Sequence, residues 1–290
     1  MNTVWSDYIQ GVKTLYYSRK LRFHDLFKEQ YKDVFALDCK KKLRILEIGC
    51  GPGALAESLH RWYPNAEIVA VDRDSNFIEF AKKHVHGATF LEADIANLPF
   101  DEESFDVTIS NTVCEHIDPQ IFYGEQRRVL KGNGICIVLS ARKSIHCPAD
   151  CVLDSHFEQA FWERVSELEK EAPNYNVGQF AINERVLPCS MGEHGFRKIS
   201  TNYIALDLTP DNERFNTDSA HDIINANRYN DLEAVDALSR RLTDKIAQED
   251  ILAMKKLINE KYDKRIAIYD SGNKLWDTSI SLTMAVRGIK

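Results

Sequence analysis

The run Ile45-Leu-Glu-Ile-Gly-Cys-Gly-Pro-Gly53 constrains this chain more than any other stretch. Arg44 to Ile48 reads as a short buried strand after the Lys-rich lead-in Lys40 to Lys42. Gly49, Gly51 and Gly53 form a loop that can turn sharply and lets a ligand approach without meeting a Cβ. Ala54 to Arg61 then reads as a helix, with Leu55, Leu59 and Trp62 near helical spacing. A strand, a glycine loop and a helix aim the helix-start N–H groups at a ligand, an architecture suited to nucleotide cofactors.

The glycines alone do not choose the cofactor. Gly49-x-Gly51-x-x-Ala54 also satisfies the dinucleotide pattern, so an NAD-dependent oxidoreductase is one alternative. The downstream strands carry more. Val69 to Asp72 is a second strand ending in an acid, about 20 residues past the loop, where a carboxylate can accept hydrogen bonds from ribose hydroxyls. Phe90 to Ile95 is a third, ending in Asp94, and Phe105 to Asn111 is a fourth. Acids at two successive strand ends suit an adenosine held by ribose and by base. Helices alternate with strands at 69–72, 88–92, 105–110 and 134–140, which predicts an α/β fold with a parallel sheet doubly wound by helices. Right-handed crossovers would line up Gly49, Asp72, Asp94 and Asn111 at the carboxyl edge.

Glu47-Ile-Gly49-Cys-Gly51-Pro-Gly53, Val71-Asp72, Ala93-Asp94-Ile95 and Phe105-Asp106 through Glu115-His116-Ile117 resemble class I S-adenosylmethionine-dependent methyltransferases. The type 11 group, which is similar to ubiquinone- and menaquinone-biosynthesis methyltransferases, fits best. The resemblance covers Leu43 to Ser140, with the motifs in order. It implies a mostly parallel seven-stranded sheet of Rossmann-like type and S-adenosyl-L-methionine as cofactor. By the same resemblance the cofactor contacts are Glu47, Gly49, Cys50, Gly51, Gly53, Asp72, Arg73, Asp94, Ile95 and Asn111. Asp72 would hold the ribose, Asp94 and Ile95 would meet adenine, and Asn111 would sit near the reacting methyl.

The rest of the chain sets the surroundings. Val4 to Tyr17 reads as one amphipathic helix that packs on the domain or caps the site, with Tyr16, Tyr17 and Arg19 as pocket candidates. Arg22 to Phe35 reads as a second helix. Lys131-Gly-Asn-Gly134 is a turn signal before a buried central strand, Ile135 to Leu139. Ser140 to Ser155 is the least regular part. It holds His146, Cys147 and Cys151, which with His156 meet no standard zinc pattern. Phe157 to Lys170 reads as a helix. Ile199 to Leu208 and the alternating Thr278 to Val286 read as the two closing strands. Thr209 to Gly272 is then a helical insertion before the last strand. Asn230 and Glu233 form a capping box for a first helix there, and Ile251 to Ile266 mark a second, closed by Gly272. The expected organisation is an N-terminal helical cap over 1–42, a core over 43–208 and 273–290, and an insertion over 209–272 acting as a lid or an interface.

Composition narrows the partners. A net charge of −7 disfavours broad nucleic-acid binding, which needs a basic field. No apolar run approaches a membrane span, and Met1 to Asp7 has no signal-peptide shape. The odd, scattered set of 7 cysteines points to a reducing cytoplasm. Methyl transfer to a small-molecule acceptor is therefore the expectation, by a monomer or a homodimer. A non-catalytic cofactor-binding module acting on a protein partner is a further alternative. DNA amino-methyltransferases carry an Asn/Asp-Pro-Pro-aromatic loop where this chain has Asn111-Thr-Val-Cys114, which disfavours that chemistry. The candidate bases are His116, His146 and Tyr16, although Glu-His-Ile at a helix start also gives His116 a structural reading.

Overall fold

The computed structural model describes residues 4–170, 177–180, 182–242 and 245–290. Residues 1–3 of the N-terminal stretch and 243–244 of the insertion lie outside the described residues. β1 (Arg44–Ile48) lies between β2 (Glu67–Asp72) and β4 (Phe105–Asn111), parallel to both. β3 (Thr89–Glu92) continues the parallel set beyond β2, and β5 (Leu130–Cys147) beyond β4. β7 (Thr278–Ile289) then runs antiparallel between β5 and the edge strand β6 (Arg197–Asp207). The order β3-β2-β1-β4-β5-β7-β6 makes one mixed seven-stranded sheet rather than a purely parallel one.

Alternation along the strands fills both faces. Ile45, Ala70, Val107 and Ile137 face a core shared with α1 (Val12–Arg22), α2 (Lys28–Phe35), α3 (Ala54–Trp62) and α4 (Ser75–His84). Leu46, Val69, Cys136 and Val286 face a second core with α5 (Pro119–Val129) and α7 (Val186–Glu193). A third core, off the sheet, joins α6 (His156–Glu169) to α8 (Thr217–Arg241) and α9 (Gln248–Asp270) through Phe161, Val165, Ile224, Leu238, Met254 and Ile258.

Several expectations are corrected. The single N-terminal helix is two pieces, a π-helical turn Trp5–Ile9 and α1, because Gln10 is extended and Gly11 starts the next helix. A Cβ on Gly11 would sit 2.5 Å from Glu233 Oε2, so α8 presses on this break. The second expected helix is split as well. α1 runs on to Arg22, and His24 caps a short turn Asp25–Phe27 before α2. The glycine turn at 131–134 is a bulge: Asn133 takes φ 65°, and the β4–β5 register shifts between Phe105 and Val107. β5 therefore starts at Leu130 and runs into the segment expected to be irregular, where Ser144 to Cys147 pair with Ser281 to Thr278. Helix α7 carried no expectation. In the insertion, Asn216 caps α8, so Asn230 and Glu233 lie inside the helix and form no capping box. α9 ends as expected, with Gly272 at φ 83°.

Candidate active site

A cavity of about 410 Å³ opens where the carboxyl ends of β1, β2 and β4 converge. β1 delivers Glu47 and the glycine loop to it. Gly49 takes φ +66°, and a Cβ there would lie 2.4 Å from Val113 Cγ2, so the turn requires glycine at that position. Gly51 lies on the cavity and its N–H donates to Asp72 Oδ2 at 2.8 Å. Gly53 is not among the lining residues. It takes φ +91° as the α3 N-cap, packed where a Cβ would meet Phe90 at 2.9 Å.

Asp72 ends β2 and accepts a second bond from Asp74 N–H at 2.9 Å. Burial lifts its carboxyl pKa to about 6, against those two N–H bonds, which favour the ionised form. Glu47 is buried at 2% exposure, and its Oε2 has no partner among the described residues. Burial pushes its pKa well above the usual range, and the charge of Asp72 adds to that. Such a buried acceptor marks a place where a donor is absent from the protein itself. Cys50 lines the cavity, but burial pushes its thiol well up and its Sγ lies 3.4 Å from Gly51 O, so it packs and does not react. Asp94 accepts Ala96 N–H at 2.9 Å and turns the chain so that Asp94, buried Ile95 and Ala96 line the far wall. Arg73 and Asn111 also line it.

The roof comes from two distant segments. Trp5, Gln10, Leu15 and Arg19 cover the cavity from the N-terminal side. Ser6 holds this strap down, donating its N–H and its hydroxyl to Asp74, each at 2.9 Å. Gln179 and Phe180 close the other side. That segment is fixed by Phe180 N–H to Glu115 O at 3.1 Å and Gly178 N–H to His116 Nδ1 at 2.8 Å. An Nδ1 that accepts has a free lone pair, so neutral His116 carries its proton on Nε2. Burial lowers its pKa, and Trp5 packs edge-on at 4.7 Å.

Two candidate bases are elsewhere. The Tyr16 hydroxyl donates to Glu57 at 2.9 Å, its ring packs by Phe80, and burial raises its pKa. It faces the core because the helix stripe that buries Leu15 and Tyr16 turns Tyr17 outward. His146 rides the extension of β5 to a second cavity of about 260 Å³, beside Asp231, Lys261 and Arg265. His116 is the one candidate base brought to the first cavity. No described residue of 209–272 lines that cavity; α8 instead backs the N-terminal strap. Tyr203 and Tyr229, on β6 and α8, are exposed and do not line it either. No metal-holding group of three His, Cys, Asp or Glu occurs among the described residues.

Sequence reasoning missed Trp5, Gln10, Thr112, Gln179 and Phe180. Thr112 lies inside the Phe105 to Ile117 stretch but carried no role there; the others lie outside the motifs and reach the cavity only through packing. Asp74 could have been found, since Asp74-Ser-Asn before an apolar helix is an N-cap signal, and its carboxylate does cap α4.

Residues 46–138 match the family model described as a methyltransferase domain, the same strands that carry the resemblance. A fatty-acid O-methyltransferase of Mycolicibacterium smegmatis is 30% identical over 148 residues, covering 50% of this chain and 48% of that protein. A malonyl-[acyl-carrier protein] O-methyltransferase of Bacillus cytotoxicus is 39% identical over 98 residues, 33% of this chain and 34% of that one. The chain thus spans half or less of these relatives' length. A ubiquinone biosynthesis O-methyltransferase of Rhodopseudomonas palustris is 26% identical over 202 residues, 65% of this chain and 71% of that protein. Among solved structures, a phosphoethanolamine N-methyltransferase 2 of Haemonchus contortus, in complex with S-adenosyl-L-methionine, shares the fold. Its TM-score is 0.52 at 16% identity, covering 99% of this chain and 59% of that one.

Proposed function

We propose that this chain, whose residues 46–138 match the methyltransferase domain of the class I, type 11 kind, transfers a methyl group from S-adenosyl-L-methionine to a small-molecule acceptor. The single observation that carries the reading is the pairing of Asp72 with the glycine loop. Two backbone N–H bonds aim its carboxylate at the cavity and leave lone pairs for the two ribose hydroxyls. The donor set fits the cofactor as a whole. The orphaned Glu47 Oε2 suits the ammonium of its amino-acid end, and Asp94 with Ile95 suits adenine.

When bound, the cofactor supplies a methyl already activated by a sulfonium, displaced in line. The protein's part is to hold the reactants, and near-attack orientation contributes about 7–11 kcal/mol in such chemistry. Asn111 and Thr112, at the end of β4, bound the place where the acceptor meets the methyl. His116 lines it with Nδ1 taken by Gly178 N–H and Nε2 4.0 Å from Glu115 Oε1, so it shapes the wall rather than removing a proton. The strap Trp5–Ile9 and the segment 177–180 exclude water. The 209–272 insertion supports the strap from behind and does not form the lid itself. A cytoplasmic location, as a monomer or homodimer, goes with this reading and with seven unpaired cysteines. No described helix is long and apolar enough to cross a membrane.

Calorimetric titration tests the reading. S-adenosylmethionine and S-adenosylhomocysteine should bind, and NAD should not. Binding of NAD alone would end it.

A further inference from the structure

The described residues 177–180 and 182–185 form no helix or strand, yet Gln179 and Phe180 make one wall of the cavity. Individual tethers must therefore hold them there. Two reach the chain beyond β4, from Phe180 N–H to Glu115 O and from Gly178 N–H to His116 Nδ1. A third comes from β5. Its ladder with β7 slips where β5 advances from Ala141 to Ser144 while β7 passes only from Thr283 to Ser281, so Arg142 and Lys143 share one place in the register. Such a bulge re-aims a side chain out of the ladder. From it, Arg142 donates Nη1 to Ser140 Oγ at 3.0 Å, Nε to Glu184 Oε1 at 3.1 Å and Nη2 to Ile182 O at 3.3 Å. Ser140 is buried, so the planar fork starts from a fixed point. The Arg142 side chain is 15% exposed and that of Glu184 55%, so water screens the ion pair and the grip on the Ile182 carbonyl matters more.

Arg142 does not line the cavity. Nor does it close α7, which Asn183 caps by accepting Arg185 and Val186 N–H at 2.9 and 2.8 Å. Its grip falls between that cap and the cavity wall, two residues from Phe180. We propose that Arg142 is a positioning residue for methyl transfer, fixing the chain at Ile182 so that Gln179 and Phe180 keep the cavity closed around the reactants. The proposal rests on the methyltransferase reading and acts through the roof, without contact to cofactor or acceptor.

The test is the release rate of S-adenosylhomocysteine from the full chain, Arg142→Ala, Phe180→Ala and the double variant, measured by stopped-flow chase. Hydrogen exchange over 177–185 is read on the same proteins by mass spectrometry. Arg142→Ala should speed release about tenfold, the worth of one charge-assisted hydrogen bond, and raise exchange over 177–185. On the Phe180→Ala background the same change should add less than about twofold, because the wall it positions is already gone. Arg142→Lys, which keeps the charge and loses the fork, should fall between, and it replaces Arg142→Ala in the cycle if that variant does not fold. Glu184→Gln should stay within about twofold of the parent. Release at the parent rate with a lowered melting temperature means a purely structural role and overturns the proposal. So does equal acceleration on both backgrounds. A wild-type protein that binds no S-adenosylhomocysteine would sink the methyltransferase reading instead. Exchange over 177–185 in the free proteins then still decides whether Arg142 holds the roof, and equal exchange in wild type and variant would show that it does not.

Discussion

The two cavities on the carboxyl side of the sheet are built on opposite principles. In the second, the charged groups pair with each other, although Asp211 Oδ1 and Arg265 Nη1 keep no partner among the described residues. Lys261 reaches Asp154 and Glu158, the Tyr262 hydroxyl donates to Asp231 at 2.8 Å, and Arg265 joins Asp211 to Asp277. Asp211 Oδ2 also takes Leu275 and Trp276 N–H at 3.0 and 2.8 Å, which staples the chain before α8 to the chain after α9. In the first cavity the polar groups wait. Glu47 Oε2 has no partner among the described residues, Arg19 donates to the Thr112 hydroxyl and makes no ion pair there, and Asp72 bonds only backbone N–H groups. Charges paired across the chain hold a fold together; charged groups that face a cavity without a charged partner, at a cost in stability, are set for a ligand.

The comparison breaks most readily at Asp211. Asp211→Ala leaves buried Arg265 with Asp277 alone and strips the Leu275 and Trp276 N–H groups of their acceptor, so unfolding free energy should fall by about 3–5 kcal/mol in all. S-adenosylhomocysteine affinity of the folded protein should stay within about twofold, because distant sites are nearly additive. A denaturant melt and a titration together check this, and a large loss of affinity with little loss of stability would reverse the assignment of the two cavities.

At the open cavity the balance should invert. Asp72→Ala removes a carboxylate worth about 1.5–3 kcal/mol to hydroxyl donors, weakening cofactor binding about 10- to 150-fold. Thermal stability should hold or rise slightly, since the lost group is one the fold keeps partly protonated. An unchanged dissociation constant would show that the ribose is held elsewhere.

The smallest effect is a proton. The Asp72 pKa rises from 3.8 to about 6 on folding. Its contribution to apo stability is thus full below pH 3.8 and lost as pH rises through 6. Ribose hydroxyls favour the carboxylate, so binding has the opposite slope. Affinity should be about tenfold weaker at pH 5 than at pH 8, with proton release near pH 6. Calorimetry in buffers of different ionisation heat measures the release, and Asp72→Asn should flatten the profile. A flat profile in the wild type would mean that Asp72 is ionised before the ligand arrives.

The sequence was legible wherever a feature is contained in one strand–loop–helix unit. Glu47, the glycine loop and Asp72 lie within one such unit, β1-α3-β2, and their relative placement follows from local geometry and the right-handed crossover. The same holds for Asp94 and Asn111 at their strand ends. Tyr16 and His146 fail for the opposite reason. The direction of Tyr16 depends on Glu57 and Phe80, and the position of His146 depends on how far β7 extends β5.

What the sequence by itself determined is therefore the sheet's nucleotide half and the floor of its cavity, because hydrophobic period, glycine torsions and strand-end acids are properties of neighbouring residues. What only the tertiary structure decided is how the roof is fastened and which residues form it. Trp5 reaches the cavity because Ser6 bonds to Asp74, 68 residues away, and Phe180 because its N–H meets Glu115 O. Helix α8 was expected to begin at Asn230 and begins instead after Asn216, pressing on Gly11 from behind the strap and not over the site. Each of these contacts closes a long loop of chain, an entropic cost that only the completed packing offsets, so no local pattern announces it.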